Sequence, residues 1–135
     1  MTTNWVLDID DMHTKFGVNE KVRNFNTEQL KEFLNFRIKF LEEELNETKA
    51  AAAAGDAEEI VDGLIDLCVV AIGTLNAFGV NEYAAWDAVH NANMSKEVGI
   101  KASRPNPLGL PDLIKPEGWV APSHANNHGF FDELA

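Results

Sequence analysis

The sequence predicts an all-α protomer built like a four-helix bundle, followed by a proline-containing coil. Three observations predict it. All five prolines lie at or after Pro105, so the first three-quarters of the chain is free to be helical throughout. Glycines stand where four helices would stop or start. Alternating β-branched runs, the mark of strands, are absent.

The first helix is expected from Trp5 to Lys15, ending at Gly17. The second starts near Thr27, with Asn26 as cap and Gln29 completing a capping box, and runs to about Ala53 before Gly55. The third takes Asp56 as its cap and runs to Phe78, before Gly79. The fourth runs from near Asn81 to near Lys96. In the second helix Leu30, Leu34, Ile38, Leu41 and Leu45 repeat at spacings of three and four, which is an amphipathic core stripe. The third helix is apolar on most sides, from Ile60 to Leu75. In a chain of this size the surplus apolar surface implies a subunit interface, hence a dimer or tetramer. Residues 1–104 are read as the helical part that carries the chemistry. Residues 105–135 are read as an extension of the same domain, packed on the helices through Trp119 and looser at its end.

The chain has 135 residues, enough for one domain with a core that needs no disulfide. Its single cysteine, Cys68, sits in an apolar run and reads as core. No unbroken run of 18 apolar residues predicts a membrane span, and the start of the chain lacks a signal-peptide pattern, which points to the cytoplasm. The net charge of −11 argues against nucleic-acid binding through basic patches. It allows a phosphate substrate only if divalent cations stand between the two sets of negative charge.

Two acidic segments meet that condition. On the second helix Glu44 and Glu47 lie about 60° apart at the edge of the apolar stripe, with Glu43 just outside Glu47. On the third, Glu59 and Asp62 are three apart and Asp66 returns to nearly the same face. Glu47 is eight residues before Gly55 and Asp62 seven after it. Both therefore lie about 11 to 12 Å from the turn, and Glu44 and Asp66 about 16 Å. An antiparallel hairpin brings the two sets to one level. Close carboxylates repel, and Mg²⁺ or Mn²⁺ resolves the conflict through oxygen ligands. The competing reading is a solvated acidic face. It fits the third helix badly, because Asp62 and Asp66 are set among apolar residues and that helix holds no Lys or Arg. Phe33, Arg37 and Phe40 lie on the Glu44 side and offer ring and guanidinium contacts to a nucleotide, or alternatively core packing. His124 and His128 read as loop histidines rather than a metal pair.

These segments resemble the MazG-like, all-α nucleotide pyrophosphohydrolases, relatives of phosphoribosyl-ATP pyrophosphohydrolases and dimeric dUTPases. The family pattern EExxE followed by ExxD reads here as Glu43-Glu44-Leu45-Asn46-Glu47 and Glu59-Ile60-Val61-Asp62. Asn93-Met94-Ser95-Lys96 is a further match. Met12 to Gly17 and Lys115 to Trp119 resemble the short, phage-type members. The resemblance implies cleavage of a (d)NTP between its α and β phosphates, giving a monophosphate and pyrophosphate. It implies that Glu44, Glu47, Glu59 and Asp62 ligate two or three Mg²⁺ ions, with Asp66 a further candidate, and that Glu43 is the general base. It also implies that Asn93 and Lys96 contact the nucleotide, with Lys115 as a further phosphate contact. Two alternatives remain open: a hydrolase of the same fold specific for dUTP, dCTP or phosphoribosyl-ATP, and a non-catalytic helical interaction protein stabilised by a divalent metal.

Overall fold

Asn4 accepts a hydrogen bond from the Leu7 N–H at 3.1 Å and so opens helix α1, Trp5–Lys15. The computed structural model describes residues 3–101, 103 and 108–135. Gly17, at φ 72°, turns the chain after α1 and directly starts a short helix, α2, Val18–Arg23. Sequence periodicity did not reveal α2. Six residues are too few for a stripe, and only Val18 and Val22 turn to the core. Helix α3, Thr27–Ala54, begins with the expected capping box, Asn26 and Gln29 each bonding the other's backbone N–H at 2.9 Å. Gly55, at φ 67°, ends α3 in the left-handed conformation, and Asp56 caps α4, Ala57–Ala77.

The chain divides into two units. The first comprises the residues up to Glu82 together with His128–Ala135, and the second Tyr83–Asn127. In the first, α3 and α4 form an antiparallel hairpin with α1 packed on α4. Its core lies at the open end of the hairpin, where Leu30 meets Ala77 and Phe78 beside Val22. Phe33 and Phe25 extend it. The end of the chain completes it, contrary to the looser end expected from sequence. A 3₁₀ helix, Gly129–Leu134, stacks Phe131 on Phe78 with ring centroids 4.0 Å apart. The Phe130 N–H donates to the Phe78 carbonyl at 2.7 Å. Gly129 has to be glycine, because a Cβ there would collide with that carbonyl.

The leucine stripe of α3 is core only in part. Leu30 is buried and Leu34 and Leu41 half-buried, while Ile38 and Leu45 are exposed. On α4, Val61, Leu64 and Ile65 are 64%, 52% and 45% exposed. The reason is geometric: one hairpin with α1 alongside covers only part of its apolar circumference. By length and hydropathy α4 also passes for a membrane span, which the absence of an unbroken apolar run had concealed. It packs along α3 and α1, with several apolar residues left exposed, and it carries Asp62 and Asp66. Cys68 is half-buried and lines an apolar cleft with Trp5, Ile65 and Ile72.

Helix α5, Glu82–Met94, belongs to the second unit from Tyr83 onward and stops two residues short of Lys96. A small antiparallel ladder follows, unexpected from sequence, with β1 (Glu97–Gly99) paired to β2 (Asp112–Ile114). At three residues each, neither strand is long enough to show alternation. Trp119 reaches back to α5, its indole N–H donating to the Ala92 carbonyl at 2.8 Å.

Candidate active site

The level of the acidic residues is set by one close contact. Thr48 on α3 lies against Gly63 on α4, where a side chain of any size would strike Thr48 Oγ1. That hydroxyl turns back to the Glu44 carbonyl at 2.8 Å. Each contact partner is the chain neighbour of an acid: Glu47 precedes Thr48 and Asp62 precedes Gly63. One turn farther from Gly55, Glu44 and Asp66 take up the next level.

The structure brings Glu44, Glu47, Asp62 and Asp66 into one electrostatic group. Asp66 is half-buried and holds its proton more tightly than an ordinary aspartate. Desolvation is the main cause, the Asp62 charge adds to it, and the side-chain bond to Asp62 favours the protonated form. Glu44 bonds to Asp66 as well, with an opposing effect. Glu44 is shifted upward in the same way, by desolvation first and then by Asp66, Glu47, Asp62 and Glu43. Glu43 and Glu47 are exposed. Glu59 is exposed one turn nearer the helix start, where its backbone N–H is capped by Asp56 at 3.2 Å. As placed, no three acids among the described residues converge tightly enough to hold an ion. The donor set nonetheless fits a hard divalent cation: it is all oxygen, on two rigid helices, with two carboxyls already forced towards protonation by their neighbours. Asp66, a further candidate from the sequence, bonds to both Asp62 and Glu44.

Arg37 is drawn into the hairpin. Its Nε donates to Thr74 Oγ1 and its Nη2 to the Val70 carbonyl, both at 3.0 Å, and its guanidinium lies over the rings of Phe33 and Phe40. Desolvation lowers its pKa. Beside it, buried His13 packs on Gly73 and bonds Asn19 at 2.9 Å, and Asn19 in turn bonds Asn76 at 2.6 Å. This polar chain ties α1 and α2 to α4. Gly73 was its only signal in the sequence, since no side chain fits between α4 and those groups.

Asn93 and Lys96 lie in the second unit at the end of α5, Asn93 exposed and Lys96 half-buried. Lys115 follows β2 and is exposed. His128 pairs with Asp132 at 2.8 Å at the start of the 3₁₀ helix. His124 is half-buried in the loop before it.

Residues 10–93 match the family model described as phosphoribosyl-ATP pyrophosphohydrolase. The chain belongs to this family. The matched stretch takes in both acidic segments and Asn93, and ends before Lys96 and Lys115. Comparison with curated proteins gives no significant match. The phosphoribosyl-ATP pyrophosphohydrolase family shares the MazG-like all-α fold, agrees with the mostly helical structure, and is generally dependent on divalent metal.

Proposed function

We propose that the chain is a metal-dependent (d)NTP pyrophosphohydrolase that cleaves between the α and β phosphates, releasing a (d)NMP and pyrophosphate. The observation that carries this reading is the Glu44–Asp66–Asp62 cluster with exposed Glu43 beside it. A structural metal site needs the cluster but has no use for a spare solvent-facing acid.

Glu44, Glu47, Glu59 and Asp62 would hold two or three Mg²⁺ ions, with Mn²⁺ as a substitute. When bound, such ions would supply charge neutralisation of the polyphosphate and a lowered pKa for a bound water. Asp66 orients Asp62 and Glu44 through the bonds it makes to both. Glu43 is free to accept a proton from the attacking water. Asn93, Lys96 and Lys115 are the proposed nucleotide contacts, as the resemblance implies. Arg37 and Phe40 fit a positioning role, because the guanidinium is already engaged with α4.

A dimer or tetramer is supported by the exposed apolar residues Val61, Leu64 and Ile65, which adjoin the acidic group on α4. The cytoplasm is the compartment we assign, that of the host if the chain is phage-encoded.

The test is release of pyrophosphate from a panel of dNTPs and NTPs, with phosphoribosyl-ATP included, in Mg²⁺ or Mn²⁺. Phosphoribosyl-ATP is the second reading, favoured by the family match itself. Release from that substrate alone would select it. Release from dUTP or dCTP alone would narrow the base preference. No release from any member would leave the metal-stabilised interaction protein.

A further inference from the structure

Three phenylalanines share one stretch of α3, and the structure puts them to different uses. Phe33 belongs to the core. Its ring stacks on Phe78 with centroids 5.8 Å apart and meets Phe25 edge-on at 6.1 Å. Phe40 is half-buried, with the Arg37 guanidinium 5.9 Å from its centre, and that guanidinium is tied to Thr74 and Val70 on α4. Phe36 is 62% exposed and leans on Phe40, with centroids 6.3 Å apart and ring planes 59° apart. The outermost ring therefore rests on one that is itself held in place.

A single exposed phenyl ring needs no ligand. Phe36 is set apart by where it stands. At 100° per residue, Phe36, Phe40, Glu43 and Glu47 lie within about 60° of one another around α3, with Glu44 about 40° from Phe40. At 1.5 Å per residue, Phe40 and Phe36 are about 6 and 12 Å along the axis from Glu44. The two rings thus continue the acidic face towards the start of the helix. All five residues are on one helix, so this spacing depends on no other part of the chain. Ile38 and Leu45, the other large apolar residues exposed on α3, lie about 160° to 180° from Phe36. Contact between copies through that opposite flank would leave Phe36 open.

An exposed ring face on a rigid helix is a stacking surface for a planar base. It reads ring area rather than the hydrogen-bonding edge, so it accepts every base and holds the larger purines most strongly. We propose that Phe36, braced by Phe40, is a platform on which the base of a nucleotide stacks while its phosphates lie at the carboxylates. The proposal rests on the pyrophosphohydrolase reading for the identity of the ligand. It makes that hydrolase broad in base preference, with purines ahead.

The test is calorimetric titration of the full chain, in Mg²⁺, with a dATP analogue that carries a methylene group between its α and β phosphorus atoms. Tripolyphosphate, which has no base, is the comparison. The analogue is expected to bind about tenfold more tightly than tripolyphosphate. Phe36→Ala should weaken the analogue about tenfold and leave tripolyphosphate within about twofold. Phe36→Leu, apolar but not planar, should be as weak as Phe36→Ala, whereas Phe36→Tyr keeps the ring and should stay within about threefold of the parent. The corresponding dUTP analogue should lose less than the dATP analogue. In the pyrophosphate assay Phe36→Ala raises KM for dATP about tenfold and leaves kcat within about threefold. The side chain is exposed, and alanine and leucine are good helix formers, so these variants keep the fold.

A parent that binds the analogue no more tightly than tripolyphosphate overturns the proposal. So does Phe36→Ala at parental affinity, or Phe36→Leu at parental affinity, since the ring would then be no more than apolar cover. If the Phe36 variants change the sedimentation coefficient and leave nucleotide affinity alone, the ring belongs to a contact between copies and the proposal falls too. The two readings separate cleanly. No pyrophosphate release from any nucleotide, with analogue affinity lost in Phe36→Ala, overturns the activity and keeps the platform. Release with KM and affinity unchanged in Phe36→Ala does the reverse.

Discussion

Thr48 and Gly63 meet across the α3–α4 hairpin with no room for a single added carbon on Gly63. This contact fixes the level of the candidate site, since Glu47 and Asp62 are the immediate neighbours of the two residues. Gly63→Ala is therefore expected to cost about 1–3 kcal/mol through overpacking, and to lower activity by separating the acids. Adding Thr48→Ala removes the hydroxyl that obstructs the new methyl. The double variant should recover more stability than the two single effects predict when summed, a coupling that urea denaturation measures. Strict additivity would mean that the contact does not set the helix spacing.

Glu43 gives a cleaner separation of chemistry from folding. Its side chain is exposed, so Glu43→Gln should leave the melting temperature within about 1 kcal/mol of equivalent stability. Pyrophosphate release should fall about 10²- to 10⁴-fold in kcat if the carboxylate takes the proton from water. A variant with full kcat would remove Glu43 from the base role while leaving the metal-ligand group untouched.

The helical hairpin was legible in the sequence because its signals are local. Asn26 with Gln29, then Gly55 and Asp56, mark helix ends through contacts only a few residues long. Counting residues from Gly55 then sufficed to bring Glu47 level with Asp62, and the Thr48–Gly63 contact lies at that level. The β1–β2 ladder was not legible, because two three-residue strands are closed across a separate stretch of chain. The docking of Phe130 and Phe131 was hidden for a similar reason: it is a tertiary contact to the Phe78 end of α4. Periodicity put Asp66 near the face of Asp62, but it does not report the side-chain bonds of Asp66 to Asp62 and Glu44.

The upward shifts of Asp66 and Glu44 set a pH dependence of definite sign. A carboxyl whose pKa is raised on folding binds its proton more tightly in the folded chain than in the unfolded one. In metal-free protein these two groups add stability as pH falls from neutral through their raised values. The gain is complete below the ordinary carboxylate range, near about 4. Asp66→Asn removes that contribution, and at neutral pH it also removes the repulsion. Without metal the variant should melt higher than the parent at pH 7, and the gap should close towards pH 5. Saturating Mg²⁺ should reverse the order at pH 7, because only the parent keeps the Asp66 carboxyl that orients Asp62 and Glu44 towards the ion. Parallel melting curves across this range, with and without Mg²⁺, would contradict the assignment.

Val61, Leu64 and Ile65 form an exposed apolar group on the helix that also carries Asp62 and Asp66. Contiguous exposed apolar surface of this kind marks an interaction face. Val61 is the most exposed of the three, so Val61→Lys can be accommodated without entering the core. Sedimentation of the parent should give a dimer or tetramer, and Val61→Lys combined with Ile65→Lys should shift it towards monomer. Because the face adjoins the carboxylates, dissociation should also reduce pyrophosphate release. Far-ultraviolet circular dichroism of the double variant should keep the helical signal, since the Leu30–Phe78 core lies at the opposite end of the hairpin. A parent that sediments as a monomer would remove the assembly from the proposal, and the candidate site would then have to work within one chain.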